Sequence, residues 1–361
     1  MADPLLNPSR VDYSSTTLCF CIQILWGVYM SRSVLLIGGA GYIGPIIAEE
    51  LLSDGCQVTV LDSLIYDNKF AIDQCLTNDK FQFIQGDMGD LPVLRDALKG
   101  ISHVVILAGL VGDPITRKYP TESNVINDIS VKKCMEVVSR SHVEHLIFIS
   151  TCSNYGLIPD GVLADETYPT TPLSLYAKSK VENEKFLLSE LGECGLNTTV
   201  LRFATAFGVA PRMRFDLTIN EFTRDIALGK HLLVFDPDTW RPYCHVRDFA
   251  EIVGLVLKAP RESVKNEIFN AGSEINNFTK RQVVDLISKH VPNSSIQFKA
   301  QGTDPRNYRV NFSKIRDVLG FNPKYTVEQG ILELLYNIKS NVYDFGVPNE
   351  NYFGNYTLES K

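Results

Sequence analysis

Tyr176 and Lys180 stand four residues apart in the run YAKSK at 176–180. On a helix this spacing puts both side chains on one face, one turn apart. A nearby ammonium favours the phenolate, so Lys180 would lower the Tyr176 pKa and let it take a proton from a substrate hydroxyl near neutral pH. Thr151 ends an apolar run, Leu146-Ile147-Phe148-Ile149, where its hydroxyl is placed to orient the same substrate group. The next two residues, Cys152 and Ser153, make a poor pair for eliminating water. That reaction needs one group to protonate the leaving hydroxyl and another to remove a carbon-bound proton. Cys152 reads as a small packed residue at a strand end, and His245 reads as structural. Arg212, Arg214, Arg241 and Arg306 gather in the loops that follow. Their planar forks suit phosphate oxygens. In a chain of net charge −7 they point to one locally bound anionic ligand rather than to nucleic acid or a membrane surface.

These groups need a scaffold, and the scaffold begins at residue 34. Val34-Leu35-Leu36-Ile37 reads as a short buried strand, GGAGYIG at 38–44 follows it, and a helical run starts at Ile43. Gly38 allows the tight turn, Gly41 lets the backbone approach a pyrophosphate, and Gly44 lets helix and strand pack closely. The helix N-terminus offers free N–H groups to the phosphates. A second strand, Val58-Thr59-Val60-Leu61, ends in Asp62, about 20 residues on, as a dinucleotide-binding fingerprint requires. A carboxylate there accepts hydrogen bonds from a ribose diol and repels a 2′-phosphate. No arginine follows it closely, so NAD is favoured over NADP. Lys180 is then placed to hold the nicotinamide ribose.

Further strands are expected at 81–84, 104–107, 146–149 and 198–201, with helices at 91–99, 121–140 and 174–191. Residues 63–79 read as a polar connection. Asp87 and Met88 follow the third strand where a carboxylate can meet an adenine amino group. Leu107, Ala108 and Gly109 end the fourth, with small residues against which a flat ring can lie. Strands alternating with helices give a doubly wound parallel sheet, whose ligands bind beyond the C-terminal strand ends. From Arg202 the rhythm loosens, with helices expected at 216–228, 247–257, 279–289 and 326–339. A smaller, partly interleaved second domain is expected there. The tail after Asn341 is aromatic and polar and has no evident place.

The chain has 361 residues, 45% of them hydrophobic, enough for two domains. Eight cysteines are scattered with no C-x-x-C pair, as in reduced cytosolic enzymes. The apolar stretch 18–30 is too short to span a membrane and lacks the basic start and cleavage site of a signal peptide. Residues 1–29 are expected to be an extension upstream of a natural start at Met30. A native N-terminus near Met1, read by mass spectrometry, would contradict this.

The chain resembles the extended short-chain dehydrogenase/reductases, the NAD-dependent nucleotide-sugar epimerase and dehydratase family. The resemblance rests on GGAGYIG at 38–44, Asp62, GDM at 86–88, LAG at 107–109, Asn127 and STCSNYG at 150–156. It continues through YAKSK at 176–180, LRFATAFG at 201–208, RPYCHVRD at 241–248 and LGFNP at 319–323. These motifs keep their order from residue 34 to about 340. The resemblance implies an α/β fold: a Rossmann-type doubly wound parallel sheet with a smaller, partly interleaved C-terminal substrate domain. The NAD-binding domain would span 30–205 plus about 242–270, and the nucleotide-sugar domain 206–241 and 271–345. It implies Thr151, Tyr176 and Lys180 as the catalytic trio. The cofactor would be held by Gly38, Gly41, Tyr42, Ile43, Gly44, Asp62, Asp87, Met88, Leu107, Ala108, Gly109 and Asn127 with Tyr176 and Lys180. The substrate would meet Cys152, Ser153, Arg212, Arg214, Arg241 and Arg306, with Arg241 on its diphosphate. PRMRFD at 211–216 and DPR at 304–306 are similar to a branch acting at C4 of sugars and heptoses.

The implied chemistry starts with oxidation: Tyr176 accepts the C4 hydroxyl proton while C4 gives a hydride to NAD. Return of the hydride on the other face makes a 4-epimerase, which needs nothing beyond the trio. Release of the ketone makes a 4-dehydrogenase, the second reading. Dehydration is disfavoured by Cys152-Ser153, and a non-catalytic NAD-binding regulatory protein by the intact trio. A cytoplasmic homodimer pairing helices 121–140 and 174–191 is expected, with no metal, nucleic acid or membrane partner.

Overall fold

The computed structural model describes residues 32–192, 195–300, 306–347 and 349–358. The expectations for residues 1–29, Cys194 and Asp304 fall outside them. The first half alternates strictly. Strands β1 (Ser33–Ile37), β2 (Gln57–Asp62), β3 (Phe81–Gln85), β4 (His103–Ile106), β5 (His145–Thr151) and β6 (Asn197–Phe203) all pair in parallel. With β10 (Glu267–Ala271) at one edge, the sheet order is β10-β6-β5-β4-β1-β2-β3. Strand order therefore reverses between β1 and β4, which opens the ligand crevice at their C-terminal ends.

Both faces of this sheet are buried, which is why its strands read as continuous apolar runs. Val34, Leu36, Val58, Val60 and Val105 pack into one helical layer. Leu35, Ile37, Leu61, Val104 and Ile106 pack into the other. Helix α1 (Gly44–Ser53) begins at the glycine turn with Pro45 in its first turn and no side-chain cap. Its first N–H groups remain turned to the crevice. Helix α2 (Leu91–Ala97) is capped by Asp90, and α3 (Asp113–Lys118) starts four residues after Gly109.

Two long helices carry the chemistry. Helix α4 spans residues 120–139 and contains a π-helical turn, Val125–Ser130. Helix α5, Leu175–Lys185, is capped by Ser174 and runs on as a second π-helical turn, Phe186–Leu191. Asn183 Nδ2 donates to the Asn127 carbonyl in the first π turn at 2.6 Å, which locks the two helices side by side.

After β6 the chain leaves and re-enters the main sheet. Strands β7 (Thr205–Phe207), β9 (Trp240–His245) and β11 (Asn277–Thr279) form one small sheet. Strands β8 (Leu232–Phe235) and β12 (Ile296–Lys299) form another. Helix α6 (Thr218–Ala227) packs here with α8 (Lys280–His290) and α10 (Val327–Lys339), whereas α7 (Val246–Lys258) packs on α1. Strand β10 (Glu267–Ala271) then adds to the edge of the main sheet beside β6. Helix α9 (Ser313–Leu319) covers β10. Threonine caps at Thr279 and Thr326, each answered by a glutamine three residues on, fix the starts of α8 and α10.

Two segments differ from the sequence expectation. The connection 63–79 holds a 3₁₀ run, Lys69–Cys75, which buries Ala71, Ile72 and Cys75. The tail is not idle. Phe353 packs on Phe215, and Tyr352 stacks on Phe70 at 4.6 Å. Cys56, Cys75, Cys134, Cys152 and Cys244 are buried and unpaired. Among the described residues no helix is long and apolar enough to cross a membrane.

Candidate active site

A cleft of about 410 Å³ lies over the C-terminal ends of β1, β4 and β5. Its floor is the glycine turn. Gly38 has φ +79°, and a Cβ there would come within 2.5 Å of the Ala108 backbone. At Gly44 a Cβ would strike the Gly39 carbonyl. Above Gly41 such an atom would meet only the Gly38 carbonyl, at 3.6 Å, so that face is an open cradle for a phosphate. The Asp62 carboxylate accepts from Ala40 N–H and Leu64 N–H, both at 2.9 Å. It shapes the turn and still lines the cleft. Asn68 donates to the Ala40 carbonyl at 2.6 Å, while its Oδ1 is buried without a partner. An open cradle, a carboxylate and an orphaned acceptor suit a dinucleotide whose ribose hydroxyls donate.

Thr151 ends β5, and its hydroxyl accepts from Ser153 N–H at 3.1 Å. Tyr176 and Lys180 lie one turn apart on α5 and line the cleft with it. Lys180 is 3% exposed and donates to the Ile149 carbonyl at 2.7 Å. Its Nζ sits 4.5 Å from the Phe148 ring centre and 5.9 Å from that of Tyr176. The expected depression of the Tyr176 pKa by Lys180 is not found. Burial lowers Lys180 to about 7 and raises Tyr176 above the ordinary phenol value, with the Asp113 charge adding to the rise. Spacing alone does not reveal that both groups are desolvated.

Behind the trio lies a buried polar network. Arg202 on β6 pairs with Glu184 on α5 at 2.7 Å. Asn154 Nδ2 donates to the same carboxylate at 2.7 Å, as does the Ser150 hydroxyl. Arg202 also donates to Tyr155 Oη at 2.9 Å. Burial works against the guanidinium charge, yet the Glu184 carboxylate raises the Arg202 pKa. The network ties α5 to β5 and β6 and so sets the position of Tyr176 and Lys180.

The four arginines all line the cleft, but protein groups already engage each of them. Arg214 forms a two-bond pair with Asp216, both contacts at 2.6 Å. Arg306 Nη1 pairs with Asp113 at 2.8 Å. Arg241 donates to the Trp240 and Arg306 carbonyls. Arg212 donates to the carbonyls of Asn351 and Gly354 and to Asn355 Oδ1, at 2.8–3.0 Å. Its guanidinium lies 4.9 Å from the Tyr66 ring centre, and Nε has no partner. Burial, then the neighbouring Arg214, pushes its pKa down to about 10. A buried guanidinium requires acceptors, and the tail supplies them here.

Every other expected cofactor residue lines the cleft except Asn127, and Ser153 does so while Cys152 does not. Asn127 instead clamps the loop after β4: Oδ1 accepts from Leu110 N–H at 2.6 Å and Nδ2 donates to Leu110 O at 3.0 Å. Cys152 is 1% exposed, its thiol donates to the Arg202 carbonyl, and burial raises its pKa well above the ordinary thiol value. It cannot reach a ligand or trade protons near neutrality. Ser153 Oγ shares a hydrogen bond with Tyr308 Oη at 3.1 Å. His245 bonds Glu333 and stacks on Tyr325, outside the cleft. Sequence reading did not single out Tyr66, Asn68, Asp113, Tyr308, Asn355 or Tyr356, all of which line the cleft. Asp113 carried a signal, since it follows a strand-end glycine pair and opens a helix.

The family model described as NAD dependent epimerase/dehydratase family matches residues 34–272. A UDP-glucose 4-epimerase of Corynebacterium glutamicum is 28% identical over 319 residues, covering 83% of this chain and 93% of that one. A dTDP-glucose 4,6-dehydratase of Streptomyces niveus is 28% identical over 318 residues, covering 83% and 90%. Among solved structures, the UDP-glucose 4-epimerase of Thermus thermophilus in complex with NAD superposes with a TM-score of 0.75 at 25% identity. It covers 86% of this chain and 100% of that one.

Proposed function

We propose that this chain, which belongs to the NAD-dependent epimerase/dehydratase family, is a nucleotide-sugar 4-epimerase. Membership makes it an NAD-dependent enzyme of the nucleotide-sugar class. The finer reading rests on one observation: Thr151, Tyr176 and Lys180 meet in one cleft, with no acidic pair beside Thr151. The buried thiol of Cys152 and the Tyr308-bound hydroxyl of Ser153 offer no strong acid or base for dehydration.

Bound in its oxidised form, NAD would supply the hydride acceptor for C4. Thr151 orients the C4 hydroxyl, and Tyr176 takes its proton as that carbon is oxidised. Lys180, which donates to the Ile149 carbonyl, holds the cofactor ribose in this reading. After the keto sugar has turned over in the cleft, C4 regains the hydride on its opposite face and Tyr176 returns the proton to the C4 oxygen. The division into a cofactor domain (30–205 with 242–270) and a sugar domain (206–241 with 271–345) belongs to this reading. So does a cytoplasmic location, supported by the unpaired cysteines. A homodimer through α4 and α5 is supported by Val125 and Ile129, exposed one turn apart on α4.

The test is incubation with NAD and a panel of UDP-, GDP-, CDP- and dTDP-sugars, followed by mass spectrometry and proton NMR. An isomer of unchanged mass with an inverted C4 coupling is expected, and Tyr176→Phe is expected to lower its rate about 10²–10⁴-fold. Loss of water, or release of a ketone with NADH, would contradict the epimerase reading.

A further inference from the structure

Asp113 opens α3 at the mouth of the cleft. Its Oδ2 pairs with Arg306 at 2.8 Å, and its side chain is 14% exposed. Its other oxygen, Oδ1, is buried and has no hydrogen-bond partner. Asp113 lines the same cleft as Thr151, Ser153 and Tyr176. Its charge adds to the rise that burial gives the Tyr176 phenol. A desolvated carboxylate oxygen without a donor is costly. It is an acceptor only, and it calls for a ligand that donates.

Two of the guanidiniums around it already face carboxylates. Arg306 is spent on Asp113, and Arg214 on Asp216 through two short bonds. Arg241 also lines this cleft, its guanidinium 5.2 Å from the Tyr308 ring centre. Tyr308 is neutral there, its hydroxyl shared with Ser153.

We infer that Asp113 is a specificity-determining residue that selects a neutral sugar. Its unpartnered oxygen accepts a hydrogen bond from a sugar hydroxyl, and the same carboxylate repels a sugar bearing a carboxylate of its own. The inference rests on the nucleotide-sugar reading of the cleft and narrows the substrate class to neutral nucleotide hexoses.

UDP-glucose and UDP-glucuronate share a nucleotide and differ only at C6, where one carries a hydroxyl and the other a carboxylate. Calorimetry on the NAD-loaded protein, with UDP as the reference, compares them directly. UDP-glucose is expected to bind more tightly than UDP and about 10-fold or more tightly than UDP-glucuronate, since opposed like charges are costly. Asp113→Asn keeps a partner for Arg306 and removes the charge. It is expected to weaken UDP-glucose about 10-fold and bring the two ligands within about 3-fold of each other. Asp113→Ser serves as a second variant, and the wild-type comparison stands alone if neither folds. Equal affinities, a preference for UDP-glucuronate, or an unchanged ratio in the variants overturns the inference while leaving the nucleotide-sugar reading intact. If no sugar nucleotide of the UDP, GDP, CDP or dTDP series binds more tightly than its own nucleotide diphosphate, both fall.

Discussion

Replacing Glu184 by Gln tests the latch behind the trio. The Arg202–Glu184 pair is 5% and 4% exposed, and the carboxylate accepts from Arg202, Asn154 and Ser150. Donors converge on both carboxylate oxygens. A glutamine amide keeps one oxygen and turns an NH₂ toward donors that need an acceptor. In either orientation a buried guanidinium loses its counter-charge and donors oppose one another. Removing one partner of a buried pair costs about 3–5 kcal/mol. At roughly 2.1 cal/mol/K of unfolding entropy per residue over about 320 residues, the melting temperature is expected to fall about 4–7 °C. Calorimetry at pH 7 measures it, with near-ultraviolet circular dichroism confirming a folded start. Glu184→Leu combined with Arg202→Met removes both charges and is expected to cost less than the single change, because no charge is left buried alone. A single variant within about 1 kcal/mol of wild type would refute the reasoning, as would a double variant that loses more than the single.

Lys180 is buried with its pKa lowered to about 7. A lysine whose folded pKa is depressed destabilises the fold as pH drops from about 10 through 7. Lys180→Met is therefore expected to raise stability at pH 7 by more than about 1 kcal/mol while abolishing turnover, as urea titration and the panel assay would show. His103 and His145 lie 6.0 Å apart at the lower edge of β4 and β5, and burial lowers them to about 4 and about 3. Their neutral forms belong to the folded state. Stability should hold above about pH 6.5 and drain away between there and pH 4, by up to ~1.4 kcal/mol per unit for each. His145→Gln should flatten that slope. Asn355→Ala removes an acceptor from Arg212 at 3.0 Å and a bond to Val111 O at 3.2 Å. A loss of about 1–3 kcal/mol is expected by denaturant titration.

What could be read from the chain was local. The glycine turn, Asp62 and the Tyr176–Lys180 pair each declare themselves within a few residues, because strand, turn and helix impose their spacing directly. The ends of α5, α7, α8 and α10 were legible to within about two residues for the same reason. Burial was not legible. Tyr176 and Lys180 were expected to tune each other through charge, and desolvation dominates both. Glu184 reads as one more polar residue on a helix, and Arg202 as the charge in an apolar strand. Only the packing of α5 on β6 makes them a pair. Arg212 was expected to await a phosphate, and its acceptors are 139–143 residues away in a tail that carries no motif.

That last distance has a consequence in time. Ribosomes add about 5–20 residues per second, so the 143 residues from Arg212 to Asn355 take roughly 7–30 s to make. The six strands from β1 to β6 are complete before Arg212 is even added. Through that interval the guanidinium has no acceptors from the tail. The Arg212 wall of the cleft is therefore completed only by the chain's late residues. A frameshift or stop within 341–355 would strip that guanidinium of some or all of its tail acceptors. A bulky fusion next to Tyr356 would disturb the site directly, however remote it looks along the sequence.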